Sequence, residues 1–135
     1  MSTANKEVVR RFFEAWGQQN LEAAAGLVTE DFLNNSSLSQ GREGIYEEGN
    51  YWFSAFPDAT VSIEELLADG DKVVARVQTS ATHQGEFFGA PPTGNAVEIS
   101  EIDIFRVENG LIAEAWAAPD MFRLLSQIGV VGSAM

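Results

Sequence analysis

Residues 97–107 read Val97-Glu98-Ile99-Ser100-Glu101-Ile102-Asp103-Ile104-Phe105-Arg106-Val107, an eleven-residue run free of glycine and proline. Its β-branched content and alternation point to a strand, in which successive side chains project to opposite faces. The odd-numbered face carries Val97, Ile99, Glu101, Asp103, Phe105 and Val107, so two carboxylates sit in an otherwise apolar row. The even-numbered face carries Ile102 and Ile104 with Glu98, Ser100 and Arg106. Periodicity alone allows either face to point inward.

Working outward, segments 59–68, 72–84, 95–107 and 111–118 all alternate or run β-branched. Turn signals separate them: Asp69-Gly70-Asp71, Gly89 to Gly94, and Asn109-Gly110. Four such segments make an antiparallel meander. Upstream the period changes. Val8, Val9, Phe12, Phe13 and Trp16 recur at spacings of an amphipathic helix that ends near Gly17. A second, Ala-rich helix is predicted over 21–28 with Asn20 as its cap, followed by a short strand and a polar loop within 31–40. A third helix aligns Ile45, Gly49, Trp52, Phe53 and Phe56 before Pro57 stops it. A last helix starts near Asp120 and ends at Gly129. Helices, then a sheet, then a closing helix define an α+β arrangement. Ala113, Ala115 and Ala117 alternate along the final strand, and small side chains there leave room for a cavity between the sheet and helices one and three.

The chain has 135 residues, enough for one domain over 1–135. Its 45% hydrophobic and 21% charged residues match a globular protein. Twenty acidic against eight basic residues, a formal charge of −12, argue against nucleic acid or an anionic membrane as partner, since both require a cationic face. The absence of cysteine removes disulfides, thiolate nucleophiles and cysteine-zinc sites, and the single histidine, His83, rules out a multi-histidine metal site within one chain. No phosphate-binding loop, dinucleotide turn, nucleophile elbow or zinc-protease motif occurs, so neither metal nor cofactor is expected. No apolar run has the length of a signal or membrane-spanning segment, and a cytoplasmic location is expected.

Glu101 and Asp103 are the leading candidates for chemistry. Two residues apart in a strand, they point the same way with Cα atoms roughly 6–7 Å apart. Burial would raise both pKa values and repulsion would raise one further, so that one stays protonated while the other ionises, as an acid and base pair requires. Two structural alternatives stand beside this: ordinary surface charges if the odd face meets solvent, or an ion pair with Arg76. His83 ends the preceding strand, where it would carry protons or simply be hydrogen-bonded in place. Asn34 and Asn35 lie where the chain returns toward the sheet, and a buried amide there would orient a carbonyl oxygen. Asp120 reads as a helix cap. Phe12, Trp16, Trp52, Phe53 and Phe56 serve as core and as pocket wall.

Three stretches together carry a family resemblance: 82–94, with its His-x-Gly-x-x-x-Gly-x-Pro-Pro-Thr pattern from His83 to Thr93; 104–116, from Ile104 to Trp116; and 124–129, Leu124-Leu125-Ser126-Gln127-Ile128-Gly129. The chain resembles the SnoaL-like polyketide cyclases of the nuclear-transport-factor-2-like superfamily. The resemblance implies a cone-shaped barrel, in which a strongly curved antiparallel sheet packs on three N-terminal helices with a short C-terminal helix. It also implies a deep apolar pocket, commonly in a homodimer, and turns the odd face of 97–107 inward. Such cyclases close polyketide rings by aldol condensation without metal or cofactor. Their last-strand Asp falls on Ala117 and a partner His on Ala115; their polar Gln and His pair falls on Glu101 and Asp103, and their pocket Asn on Asn34. In the related ketosteroid isomerases the protonated acid donor aligns with Asp103, the tyrosine partner with Phe12, and the base region with Asn34 and Asn35. An epoxide-hydrolase site is the weaker fit, since its Asp-Arg-Asp group lacks the last-strand Asp and Arg76 is followed by Val77 and Gln78.

The reading that follows is a cofactor-independent cyclase or isomerase of a small hydrophobic, polyketide-like carbonyl compound. Asp103 is the main acid/base and Glu101 its coupled partner. His83, Asn34, Phe12, Trp16, Trp52, Phe56, Phe105, Ala115 and Ala117 would contact the ligand. The competing reading is a non-catalytic binding or accessory protein, which the alanines at 115 and 117 favour.

Overall fold

The computed structural model describes residues 2–131. The elements run α1 (Ser2–Gly17), α2 (Leu21–Ala25), β1 (Val28–Asn34), α3 (Gly41–Ala55), β2 (Thr60–Asp69), β3 (Lys72–Thr82), β4 (Ala96–Glu108), β5 (Leu111–Pro119) and α4 (Met121–Gln127). One sheet holds all five strands in the order β1-β5-β4-β3-β2. The pairs β2–β3, β3–β4 and β4–β5 are antiparallel, so the expected meander is present, and β1 adds to its far edge parallel to β5.

The start of that edge strand departs from expectation. The second helix stops at Ala25 rather than 28, because Gly26 closes it through its own N–H to the carbonyls of Glu22 and Ala24. Val28 and Phe32 are then free to enter the core as alternating strand residues, Val28 completely buried. Asn20 caps the helix as read, its side chain accepting from Ala23 N at 3.1 Å. At the other end Asp120 accepts from Arg123 N at 3.1 Å and caps α4.

Strand β4 sits in the middle of the sheet and buries its odd-numbered face. Val97, Ile99, Asp103, Phe105 and Val107 are all buried, while Ile102 and Ile104 are exposed on the outer face. Strand β3 matches it with Val73, Ala75, Val77, Thr79 and Ala81 inward. The alanines of β5 do not share one face as the simple alternation suggested. The register passes from Arg106↔Glu114 to Val107↔Ile112, which leaves Ala113 as an extra residue in a bulge. Completely buried Ile112 takes the core position below Ala115, and only Ala115 and Ala117 face the cavity.

Two apolar clusters flank that cavity. One joins α1 to the sheet through residues such as Val9, Phe13, Val73, Phe105 and Ile112; the other joins the end of α3 to α4 through Phe53, Phe56, Val97, Ile99 and Leu124. Trp16 packs against both. The loop after β3 docks on the end of α3, where Gln84 N and Gly85 N both donate to Ala55 O. A Cβ on Gly85 would collide with the Ser54 carbonyl, which explains the glycine of the His-x-Gly pattern.

Candidate active site

The cavity has a volume of about 360 Å³, at the lower end of sites for drug-sized molecules. Its walls are aromatic: Phe12 and Trp16 from α1, Tyr51 and Trp52 from α3, Phe105 from β4, and Phe87 from the loop after β3. Phe12 stacks on Trp16 with ring centroids 6.3 Å apart, and Phe105 packs edge-on against Phe13 at 5.6 Å. These contacts hold the rings in place without filling the space between them. Across the cavity from α1 the sheet presents small residues, Ala115 directly opposite Phe105 and Ala117 directly opposite Asp103.

Polar groups converge at one side. Asp103 is 4% exposed, and one of its carboxylate oxygens, Oδ1, accepts from Ala118 N at 3.3 Å. Glu101, half-buried, shares a hydrogen bond with it. Burial raises the Asp103 carboxyl most, the charge and acceptor of Glu101 add to that, and the Ala118 N–H works weakly against them, so that Asp103 is pushed up to about 9. Burial raises Glu101 too, but the hydrogen bond donated by Asp103 pulls it back. At neutral pH Asp103 therefore keeps its proton, with Glu101 as its hydrogen-bond partner. The two carboxyls titrate as a pair.

A third carboxyl faces them from α3. Glu48 stands at the cavity mouth, reached by solvent yet ringed by enough protein that loss of water raises its pKa, opposed by a hydrogen bond from Ser37 and aided by repulsion from Glu101. The Nδ2 of Asn34 donates to Glu48 Oε2 at 3.3 Å, and Asn34 Oδ1 accepts from Ser36 N at 3.0 Å. Asn34 thus lines the cavity as expected while bracing Glu48 and the turn after β1. Asn35 is outside it, donating to Glu114 and to the Ala115 carbonyl.

Most of the expected site is assembled. Glu101, Asp103, Asn34, Phe12, Trp16, Trp52, Phe105, Ala115 and Ala117 all line the cavity. His83 and Phe56 do not. Both are completely buried in the neighbouring cluster, with ring centroids 5.5 Å apart. Thr93 N donates to His83 Nδ1 at 3.3 Å and the Thr93 hydroxyl lies 3.0 Å from the same nitrogen. The first and last residues of the His-to-Thr pattern therefore clasp each other and close the loop that carries Phe87. Arg76 forms its ion pair with Glu65 at 3.2 Å, which removes the structural alternative for the two acids. Glu48, Tyr51 and Ser37 had not been singled out. Glu48 lies three residues after Ile45 and four before Trp52, on the face already read as inward, and that spacing was the available signal.

Comparison with known proteins agrees with this architecture. The family model described as SnoaL-like polyketide cyclase matches residues 6–128. The chain belongs to the SnoaL-like polyketide cyclase family. Among characterised relatives it is similar to aklanonic acid methyl ester cyclase DauD from Streptomyces sp. (strain C5), at 23% identity over 91% of this chain and 80% of that one. Among solved structures it superposes on AclR from Streptomyces galilaeus, a proposed hydroxylase, with a TM-score of 0.88 and 26% identity over 97% of this chain and 84% of that one. TsrD from Streptomyces laurentii gives a TM-score of 0.88 at 25% identity over 96% and 97%. The fold is the α+β cone inferred from the resemblance, and among the described residues no helix is long and apolar enough to cross a membrane.

Proposed function

We propose that the protein is a cofactor-independent cyclase or isomerase of a small hydrophobic carbonyl compound, with Glu101 and Asp103 dividing the acid/base work. Ionised Glu101 removes a proton from the carbon next to a carbonyl, and protonated Asp103 donates to the oxygen on which the enolate charge develops. In ring closure the enolate carbon bonds to a second carbonyl carbon, whose oxygen takes up the proton. In isomerisation the proton returns to a different carbon. The observation that carries the reading is the pair of adjacent carboxyls, Asp103 buried and Glu101 half-buried, at the wall of an aromatic cavity.

The alanine at the family's last-strand Asp position fits the same picture. Ala117 is the direct cross-strand neighbour of Asp103, and Cα atoms so paired are about 4.5–5.5 Å apart. An acid on β4 reaches the space that an acid on β5 would otherwise fill, so the carboxyl has moved one strand over. The competing reading, a binding or accessory protein, draws on the small residues at 115 and 117.

Two assays separate these readings. Deuterium exchange at the carbons flanking the ketone of 2-tetralone, followed by NMR, reads enolisation without assuming a product. Conversion of aklanonic acid methyl ester tests ring closure. Exchange that is lost in Glu101→Gln supports catalysis. Binding of the ketone without exchange or conversion sinks it and leaves the binding role. We further propose a homodimer formed through the outer sheet face, where Ile102, Ile104 and Trp116 are exposed. Ile104→Glu should then halve the mass measured by light scattering, and a monomeric parent protein would refute the dimer.

A further inference from the structure

We propose that the cavity is built for a hydrophobic ligand carrying a protonated amine, and that Glu48 is the residue that selects it. The inference rests on the cavity being the binding site. Its ionisable lining is one-sided. Glu48 from α3 faces Glu101 and Asp103 from β4, and none of the chain's eight lysines and arginines, nor His83, lines the space. Three of the arginines are engaged elsewhere: Arg42 with Glu30, Arg76 with Glu65, and Arg106 with Glu108 and Glu114.

Buried Asp103, half-buried Glu101 and solvent-reached Glu48 share this cavity without a countercharge, which is costly for the buried members unless they take up protons or a cation enters. The Asp103 proton relieves one of them. For Glu101 and Glu48, which face the cavity with no cationic side chain beside them, the missing partner is a group with several donors and a positive charge. An ammonium has three donors, matching acceptors on opposite walls. The hydrophobic walls suit the same ligand, because Trp16, Tyr51 and Trp52 line the cavity and such rings attract cations as well as apolar carbon. An anionic ligand meets the opposite conditions, with no donor of positive charge in the cavity and a chain of net charge −12 around it. The lining also lacks a lysine, so such an amine is held as a salt and a carbonyl on the same ligand stays free of imine formation with the protein.

The test uses three ligands that differ only in charge: 2-naphthylmethylamine, methyl 2-naphthoate and 2-naphthoate. Each is titrated calorimetrically at neutral pH in about 0.15 M salt, where attraction to the outer surface is screened. The amine should bind about tenfold more tightly than the ester, and the ester about tenfold more tightly than the acid. Glu48→Gln should cut the amine-to-ester ratio about tenfold, and Ala117→Phe, which fills the cavity, should abolish binding of both. An amine-to-ester ratio near one overturns the proposal while leaving the cavity as the binding site. Amine binding that survives Ala117→Phe also overturns it, because the cation is then gathered by the acidic surface. If no probe binds, the cavity reading itself falls and the selection by Glu48 falls with it.

Discussion

Strand β4 and its neighbour β5 carry carboxyls on both faces of one sheet, and the two faces treat them in opposite ways. On the inner face Glu101 and Asp103 lose water, find no cation, and are raised. On the outer face Glu114 accepts from Asn35 and from Arg106 at 3.0 Å, and is lowered. The residue types are the same and the strands adjacent, so the sign of the shift comes from what surrounds each group. Dehydration penalises the charged form and a donor or cation rewards it. A sheet with one dry and one wet face can therefore hold an acid in reserve on one side and use the same chemistry for surface ion pairs on the other.

The strongest way to break this comparison is to remove the inner pair's asymmetry. Glu101→Gln should lower the rate of α-proton exchange on the order of 10²–10⁴-fold, the range of a lost general base. An unchanged rate would show that the inner carboxyls are spectators. Asp103→Asn keeps a donor toward Glu101 but cannot release a proton, and should cost about 10²-fold with the fold intact by circular dichroism. Its pH profile sharpens the point. Activity that needs ionised Glu101 and protonated Asp103 should rise as pH climbs through the lower, Glu101 step and fall as it approaches about 9. A rate flat across that range contradicts the division of roles.

Stability gives a smaller effect with opposite signs on the two faces. Asp103 binds its proton more tightly folded than unfolded, so its contribution to stability is greatest at low pH and is lost as pH rises from the ordinary aspartate range toward about 9. Asp103→Asn removes that loss and should stabilise the protein at pH 8 by about 1–3 kcal/mol, read by chemical denaturation. Destabilisation at that pH would mean that the carboxylate is paired after all. Glu114 binds its proton less tightly folded, so its contribution is present above the ordinary glutamate range and is lost as pH falls. Glu114→Gln should thus produce the smallest change of the set, a loss at neutral pH that fades in high salt, because its ion pair with Arg106 lies on the outer face of the sheet, within reach of screening ions.

Much of this architecture was legible before any coordinates. The alternation in 97–107 placed Glu101 and Asp103 on a common face, and the family resemblance, not the periodicity, turned that face inward, where the structure buries it. Turn residues such as Asn109-Gly110 marked the strand boundaries, with positive φ at both positions. Three features were hidden. The bulge at Ala113 arises from pairing with β4, and no local pattern signals an extra residue that both neighbours accommodate. The burial of His83 depends on a partner ten residues away, Thr93, so a polar residue at a strand end looked available when it was already committed. Glu48 shares the inward helix face of Ile45 and Trp52, but its polar surroundings are supplied by Ser37, Asn34 and Glu101, none of them near it in a helical pattern.

The sequence by itself determined the order of the elements, which residues share a face of most of them, and the excess of acid over base, because these depend on periodicity and composition, which are local or summed quantities. Only the tertiary structure decided which carboxyls lose water together, that the one histidine is locked away, and that the cavity is lined by three acids and no base. Those outcomes depend on how much water remains around each group and which charges lie within a few ångströms of it, and both are set by packing between segments far apart in the chain.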